Sequence, residues 1–590
     1  MCYFMDTQNC NEVMMLSNQD LKRLYDESWS HYERKEYDKA LAKINEILKI
    51  DKNNIPARNR KASILIESWD GSIKTKSQIS EAIDHLNIAM EIDFNNKTHY
   101  LLNKGNAFYK LAMTEFKESV KLNSVIIDHL EKAKSCFQGS LEINENQPDV
   151  WINKGNTLDN LGRYLEAIEC YDRAILLDNK HYNAWGNRGL SCWRLSELIE
   201  HKDDRAKLFL DAMIYLAIEL EMYPDFEIGD SKKELVRDFI NKNKIQIDFE
   251  SMLEKQLPKK RALLDESFNL DSEPEGDFKT FYYDFCEKHA LFLNVHFDCN
   301  ECECSTLDLI HVGFITSINE YQKPYELFKK WFALVDDYKT SRSLLTLSQF
   351  RPNDFLFLDK QRYEPNYSLN YLFNVELLKN AFLTAINTYD KVAFFLNDYE
   401  ELGLSDKSIS FWGSNSIFNK TDILEKNEWQ TDLVALDSIR KDLEKQEFKR
   451  WRLVRDYLVH RYFVLHDIVD VENLTYPYDS SETPLEHKEY HMDIHEFFNL
   501  TIQALQNIRN VLFSLAFLVS QKEKSKKKEI DGKIGELHWT HDWEKDDELT
   551  KLADKWAEEL KASFNQIANQ LSKILEDDAI KDNSNVDYKS

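Results

Sequence analysis

PDVWINKGNTLDNLGRYLEAIECYDRAILLDNK, residues 148–180, reads as two helices folded back on one another. The reasoning is steric. Trp151 is a bulky knob near the start of the first helix, and Gly155, one turn on, leaves room where the two helices approach. Ala167 is the small residue of the second helix at the closest crossing, and Tyr171 and Ala174 continue the face that packs on the next pair. Working outward, Trp185 and Gly189 repeat the knob and the gap, followed after an insertion by Ala212 and Pro224. Backward, Gly105 with Ala133 gives another copy, and Ala82 with Ala89 another. The first copy, Leu21 to Asn54, keeps Tyr37 and Ala40 but places Ser28 at the gap. The ends IDKNN (50–54), IDFNN (92–96), INENQ (143–147) and LDNK (177–180) mark the turns between pairs.

This spacing resembles the tetratricopeptide repeat, whose period is about 34 residues, and about five copies fit between residues 21 and 225. The resemblance implies a solenoid with a concave groove that takes a protein or peptide ligand.

Composition agrees with a helical protein of more than one domain. At 590 residues the chain exceeds what one hydrophobic core serves, and only 14 Gly and 10 Pro leave little material for turn-rich β architecture. The expected fold class is all-α. A net charge of −27 argues against a protein that coats nucleic acid non-specifically, because phosphate binding needs cationic surface. The first twenty residues lack a secretory pattern, and the apolar run Val511 to Val519 is well short of the roughly 20 residues of a membrane span. A cytoplasmic protein without a membrane partner is expected, its nine Cys reduced rather than disulfide-bonded.

The sequence divides into an N-terminal extension (1–20), the repeat array (21–225), a helical linker (226–277) holding the turn-rich LDSEPEGD, a helical domain (278–525), and an accessory helix and tail (526–590). In the helical domain, NVELLKNAFLTAINTYDKVAFFLNDY carries apolar residues at helical spacing through Leu378, Phe382, Ala385, Tyr389 and Val392, with Asp390 and Lys391 as a candidate buried pair. A helix is expected from about Leu433 to His466, and another from the capping box at Thr483, Pro484 and Glu486 to about Lys522. Four or more such helices make a bundle.

The middle helix contains RDYLVH: Arg455, Asp456, then His460 five residues after the arginine. Here, with YYDFCEKHALFLN (282–294) and DKVAFFLN (390–397) in the same order behind the repeats, the sequence resembles bacterial tetratricopeptide-fused proteins of the HEPN superfamily. Their hallmark is Arg, four to six residues, then His, usually with a polar residue after the Arg. The resemblance implies a metal-independent ribonuclease acting on an RNA substrate, formed across a homodimer, with roles in antiviral defence or as a toxin-like enzyme. Asn is common after the Arg; Asp456 stands there in this chain.

The chemistry suits these residue types. Cleavage of RNA by its own 2′-hydroxyl needs a proton acceptor, a proton donor and positive charge on the phosphate; imidazole serves as acid or base, and guanidinium matches phosphate oxygens. Residues five apart on a helix point about 140° from one another, so Arg455 and His460 occupy two edges of a face, and a twofold-related helix could complete one cleft. Asp456, four residues before His460, shares its face and is the candidate for orienting the imidazole. From Ile439 to Arg461 eight basic residues outnumber four acids, making Arg452 and Arg461 candidate RNA contacts and Trp451 and Tyr462 candidate stacking surfaces. The bland alternative is a solvated helix face with packed aromatics, in a non-catalytic adaptor whose bundle only dimerises.

No metal or other cofactor is expected. Cys299, Cys302 and Cys304, with His296 and His311 nearby, are zinc-ligand types, but the spacing lacks a second matched pair and reads as loop thiols. His487, His491 and His495 fall four apart, a stripe that could bind a transition metal or line the cleft beside the Arg455 helix, and that reads first as a partly exposed helix face. Phosphate-loop, dinucleotide and zinc-protease motifs are absent.

Overall fold

The structure is a computed structural model that describes residues 7–199, 202–223, 236, 277–295, 308, 310, 312–317, 322–350, 372–466, 489–529 and 534–537. Its contacts divide the chain into two compact units, residues 1–184 with 424–434, and residues 185–423 with 435–590. The division falls inside the stretch read as repeats.

The first unit is built of antiparallel helix pairs: α1 (Thr7–Glu33) with α2 (Tyr37–Ile50), α3 (Ile55–Glu67) with α4 (Ile73–Ile92), α5 (Lys97–Ser119) with α6 (Ser124–Ile143), and α7 (Pro148–Asn160) with α8 (Tyr164–Leu177). The steric pattern is realised. A Cβ on Gly155 would lie 2.5 Å from the Tyr171 ring, and one on Gly105 would lie 2.5 Å from Phe137, so only glycine lets each pair close this tightly. Ala40, Ala82, Ala89, Ala133, Ala167 and Ala174 are all fully buried. Ser28, the odd residue of the first copy, donates its hydroxyl to the Ala40 carbonyl at 3.1 Å, which satisfies a buried polar group in place of the missing gap. Trp151 is half-buried: its indole N–H donates to the Glu145 carbonyl at 2.8 Å, and Lys154 and Arg173 flank its ring. Residues 424–434 belong to this unit through Val434, buried with Ala112, Ile126, Leu130 and Leu161.

The second unit begins at Trp185, within α9 (Tyr182–Leu198), and continues into α10 (Lys202–Met222). Trp185 is buried against Tyr215, and Ala212 brings its carbonyl to 3.0 Å from where a Gly189 Cβ would sit. The core of the unit is a bundle of long helices: α11 (Phe278–Lys288), α12 (Gln322–Gln349), α13 (Leu372–Tyr399) and a terminal helix, Ile494–Glu529. Leu378, Phe382, Ala385, Tyr389 and Val392 are all buried, as their spacing requires. Two closed networks tie the chain after α11 to the bundle. Arg342 forks onto Asp308 with two bonds of 2.7 Å and donates to the Leu291 carbonyl at 3.0 Å. Arg509 donates to the Phe292 and Asn294 carbonyls at 2.9 and 2.8 Å.

Between α13 and the terminal helix lie the short turns α14 (Ile417–Lys420) and α15 (Ile423–Lys426), then α16 (Thr431–Leu443) and α17 (Gln446–His460). The single helix expected from Leu433 to His466 is therefore broken twice. At the first break Lys445 is extended and begins α17 as its N-cap position. At the second, Tyr462–His466 forms strand β2, because Phe463 and Leu465 are buried while Tyr462 is exposed, an alternation of period two that a helix cannot serve. Strand β2 pairs in parallel with β3 (Glu489–Asp493), from Tyr462 opposite Glu489 to His466 opposite Asp493. A second ribbon pairs β1 (Phe314–Ser317) antiparallel with β4 (Ile534–Leu537). These two ribbons modify an otherwise helical architecture.

The terminal helix, α18 (Ile494–Glu529), starts later than the capping box suggested. Asp493 is its cap, accepting from the backbone N–H groups of His495 and Glu496 at 2.8 and 3.0 Å. Thr483, Pro484, Glu486 and His487 lie outside the described residues, and His491 sits in a strand, so the histidine stripe is not one helix face. Helix α18 is long and apolar enough by length and composition to cross a membrane, yet 83% of its apolar window is buried within the fold. The linker except Val236 and Asp277, the cysteine-rich loop with Cys299, Cys302 and Cys304, and the tail beyond 537 lie outside the described residues.

Candidate functional site

Helix α17 presents the Arg and His of the motif by burying the opposite stripe. Trp451, Val454 and Tyr457, three residues apart, are buried, while Arg452, Asp456, Val459 and His460 are exposed. Measured around the helix from Val454, Arg455 lies at about +100° and His460 at about −120°, so the two side chains flank the exposed face from opposite edges. His460 is the last helical residue. The turn into β2 fixes it there: Tyr457 packs on Tyr490 of β3, and Phe463 stacks on Tyr490 and packs on Phe497.

Asp390 of α13 faces the motif. Its Oδ2 lies 3.8 Å from Arg455 Nη2, with the two side chains 24% and 35% exposed. Burial pushes the Asp390 carboxyl above the usual carboxylate range; the Arg455 guanidinium, the Phe411 backbone N–H and Arg452 each pull it back. Among the described residues, neither Asp390 Oδ1 nor Arg455 Nε has a hydrogen-bond partner, although both are buried. The Asp390–Lys391 pair anticipated from sequence does not form. Lys391 pairs instead with Asp337 of α12, because adjacent helical residues point about 100° apart.

A loop seals one side. Tyr389, buried next to Asp390, packs 4.8 Å from Trp412 and donates its hydroxyl to Asn507 at 2.7 Å. Gly413 follows at φ +75°, and a Cβ there would lie 2.5 Å from Arg452 Nη2, so the guanidinium rests against bare backbone. The Gly413 N–H donates to Glu444 at 2.9 Å, and Glu444 also accepts from Arg440 at 2.8 Å.

The basic island is smaller than the sequence count. Arg440 is buried against Asp437 and Glu444, Lys441 pairs with Asp437, Lys445 with Asp442, and Arg450 with Glu496 of α18. Lys449, Arg452 and Arg461 remain exposed, with Arg461 lying over the Tyr457 ring. Tyr462 is 67% exposed and available for stacking, whereas Trp451 at 2% is a core residue and offers no face. Asp456 and His460 share a side of the helix, yet among the described residues their side chains form no hydrogen bond with each other. No group of three or more potential metal-ligating side chains converges among the described residues. Asp390, Gly413 and Glu496 are the site neighbours that motif spacing missed; the only sequence signal was an acid interrupting the apolar stripe of α13.

The LA2681-like HEPN family matches residues 318–522, which include α12, α13, α17 and most of α18, and the tetratricopeptide repeat family matches residues 148–181. The chain is 24% identical over 191 residues to stress-induced-phosphoprotein 1 of Caenorhabditis elegans, covering 29% of this chain and 57% of that protein. It is 23% identical over 256 residues to the Hsp70-Hsp90 organizing protein of Triticum aestivum, covering 40% of each. The chain thus spans about half or less of the length of these curated relatives. A thermophilic tetratricopeptide protein from Thermus thermophilus is 14% identical, with 38% of this chain and all of that chain covered at a TM-score of 0.28.

Proposed function

This chain is a tetratricopeptide-repeat protein with an LA2681-like HEPN domain, and from that premise we propose that it is a metal-independent RNA endonuclease directed by its repeat array. One observation carries the reading: Arg455 and His460 both reach solvent from the two edges of one helix face, inside the family-matched span. The 2′-hydroxyl of RNA gives its proton to one imidazole and attacks the phosphorus, the P–O5′ bond breaks, and the departing 5′-oxygen takes a proton from a second imidazole. The products are a 2′,3′-cyclic phosphate and a 5′-hydroxyl. Two copies of α17 in a homodimer supply both His460 rings, and Arg455 neutralises the charge that builds on the phosphate. Arg452 and Arg461 hold flanking phosphates, and Tyr462 stacks on a base. Asp456 acts on His460 only when substrate or the second copy brings the two groups together.

The repeat array binds a protein or peptide segment, a role that its likeness to the Hsp70-Hsp90 organizing protein supports. A cytoplasmic setting and a place in defence or toxin-like action complete the reading, with the array spanning 21–225 and the nuclease domain 278–525. The alternative is a non-catalytic adaptor, favoured by Asp456 in place of the commoner Asn and by the lack, among the described residues, of a hydrogen bond between Asp456 and His460. Incubating the purified chain with RNA in chelator separates the two readings. Cleavage leaving 2′,3′-cyclic ends, reduced at least about 100-fold in Arg455→Ala and in His460→Ala, is the expected result; equal background in all three proteins leaves the adaptor.

A further inference from the structure

The geometry points to a specific task for Asp390: we infer that its carboxylate is a stand-in for phosphate, holding the Arg455 guanidinium until an RNA phosphate displaces it. Asp390 is thus a positioning residue of the site, and the inference rests on the ribonuclease reading only in naming RNA as the source of the phosphate.

Two ion pairs in the same unit make the case by contrast. Arg342 and Asp308 form a closed fork, two bonds of 2.7 Å, with side chains 3% and 13% exposed. Nothing can enter that pair. Arg455 and Asp390 meet at 3.8 Å through one oxygen, and the second oxygen and the guanidinium Nε are buried with no partner among the described residues. A guanidinium and a carboxylate held this close, in reach of solvent, and not joined by a bidentate bond leave hydrogen-bonding capacity unused on both sides. Carboxylate and phosphate present similar oxygen pairs to a guanidinium, so one can take the place of the other.

The surroundings favour exchange. Arg452, one helical turn before Arg455, also acts on Asp390, and its guanidinium lies against the Gly413 backbone with no carboxylate within ion-pairing distance among the described residues. A phosphate displacing Asp390 meets two cations rather than one. The backbone that carries the displaced carboxylate belongs to a long core helix whose neighbouring residue, Tyr389, is held to Asn507, so the carboxylate stays near Arg455 after displacement.

The test is a double-mutant cycle on binding, which needs no turnover. A fully 2′-O-methylated oligoribonucleotide, unable to cyclise, is titrated by fluorescence anisotropy in chelator against wild type, Asp390→Asn, Arg455→Ala and the double variant. Removing the competing carboxylate should tighten binding roughly 2- to 5-fold, the scale of a partly exposed ion pair, and the gain should vanish on the Arg455→Ala background. In turnover with cleavable RNA, Asp390→Asn should lower KM and kcat together, since the freed guanidinium binds phosphate more readily but is less well aimed, and Asp390→Glu should restore part of both. No gain in binding, a gain that persists without Arg455, or no measurable binding by any variant overturns the inference. The two readings fail separately: a coupled cycle in a chain that cuts no RNA removes the ribonuclease and keeps the counter-ion, whereas cleavage with an uncoupled cycle does the reverse.

Discussion

The repeat pairs and the helical bundle are both made of amphipathic helices, yet they are held by contacts of different reach. In the repeats the deciding partners are near in sequence: Tyr171 donates to Asn156 across 15 residues, and Asn153 to Asn106 across 47. In the bundle Arg509 reaches the Phe292 carbonyl across 217 residues, and Tyr399 donates to Glu523 across 124. A local contact repeats with the period of the chain and can be read from spacing. A distant one couples segments whose sequences carry no mark of each other, and it places charged groups where burial makes them costly unless paired. The repeats should therefore respond to mutation through shape, and the bundle through charge.

The largest test of that contrast is Arg342→Ala. It leaves the Asp308 carboxylate, 13% exposed and normally held low by Arg342, with Lys339 at 3.8 Å and the Leu293 N–H as its remaining partners among the described residues. A loss of about 3–5 kcal/mol is expected, read as a lower urea midpoint for the bundle's hydrogen-exchange-protected amides. A loss below about 1 kcal/mol would mean that the buried fork is not what secures the chain after α11.

Asp432 is a charge-controlled exception inside the first unit. It is 4% exposed, without an ion-pair partner among the described residues, and burial pushes its carboxyl up to about 7 despite a hydrogen bond to Gln430. Because its folded pKa lies above the unfolded value, the native state keeps a proton that the unfolded chain releases. Its contribution is complete below about pH 4 and is lost as pH rises to about 7, up to about 4 kcal/mol in the limit. Asp432→Asn should remove that slope, so urea midpoints of variant and wild type converge at pH 4 and separate by pH 8 with the variant higher. Parallel midpoints across this range would show that the carboxyl titrates as if exposed.

The same contrast explains what was legible in the sequence. Gly155, Gly105 and the buried alanines were readable because the steric demand recurs at a fixed interval. The placement of Arg455 and His460 at opposite edges of a face was readable because one helix carries both and helical pitch alone sets it. Their surroundings were not. The count of eight basic residues missed that Asp437 and Glu496 stand outside the counted window and neutralise three of them, and that Asp390 arrives from another helix. The strand after His460 was hidden because an alternation as brief as Phe463 and Leu465 carries little weight beside the longer helical pattern before it, and the partners that pack on Phe463, Tyr490 and Phe497, come from a distant segment.

The finest test asks whether shape governs the repeats at the level of one methyl group. Gly155→Ala and Gly139→Ala both replace a helical glycine, and intrinsic propensity alone favours alanine at each by about 1 kcal/mol. The surroundings reverse the first and spare the second. At position 155 the new Cβ would sit 2.5 Å from a Tyr171 ring that is buried and tethered to Asn156 at 2.8 Å, so the pair must spread, at a cost of about 1–3 kcal/mol. At position 139 the nearest atom is Leu101 Cδ1 at 3.5 Å, an ordinary contact, and the propensity gain survives. Amide exchange in α7 and α8 should therefore quicken in Gly155→Ala while that in α5 and α6 slows in Gly139→Ala. If both variants gain protection, α7 and α8 can part enough to admit a methyl group, and the glycine at the knob's next turn is a matter of sequence habit rather than of close approach.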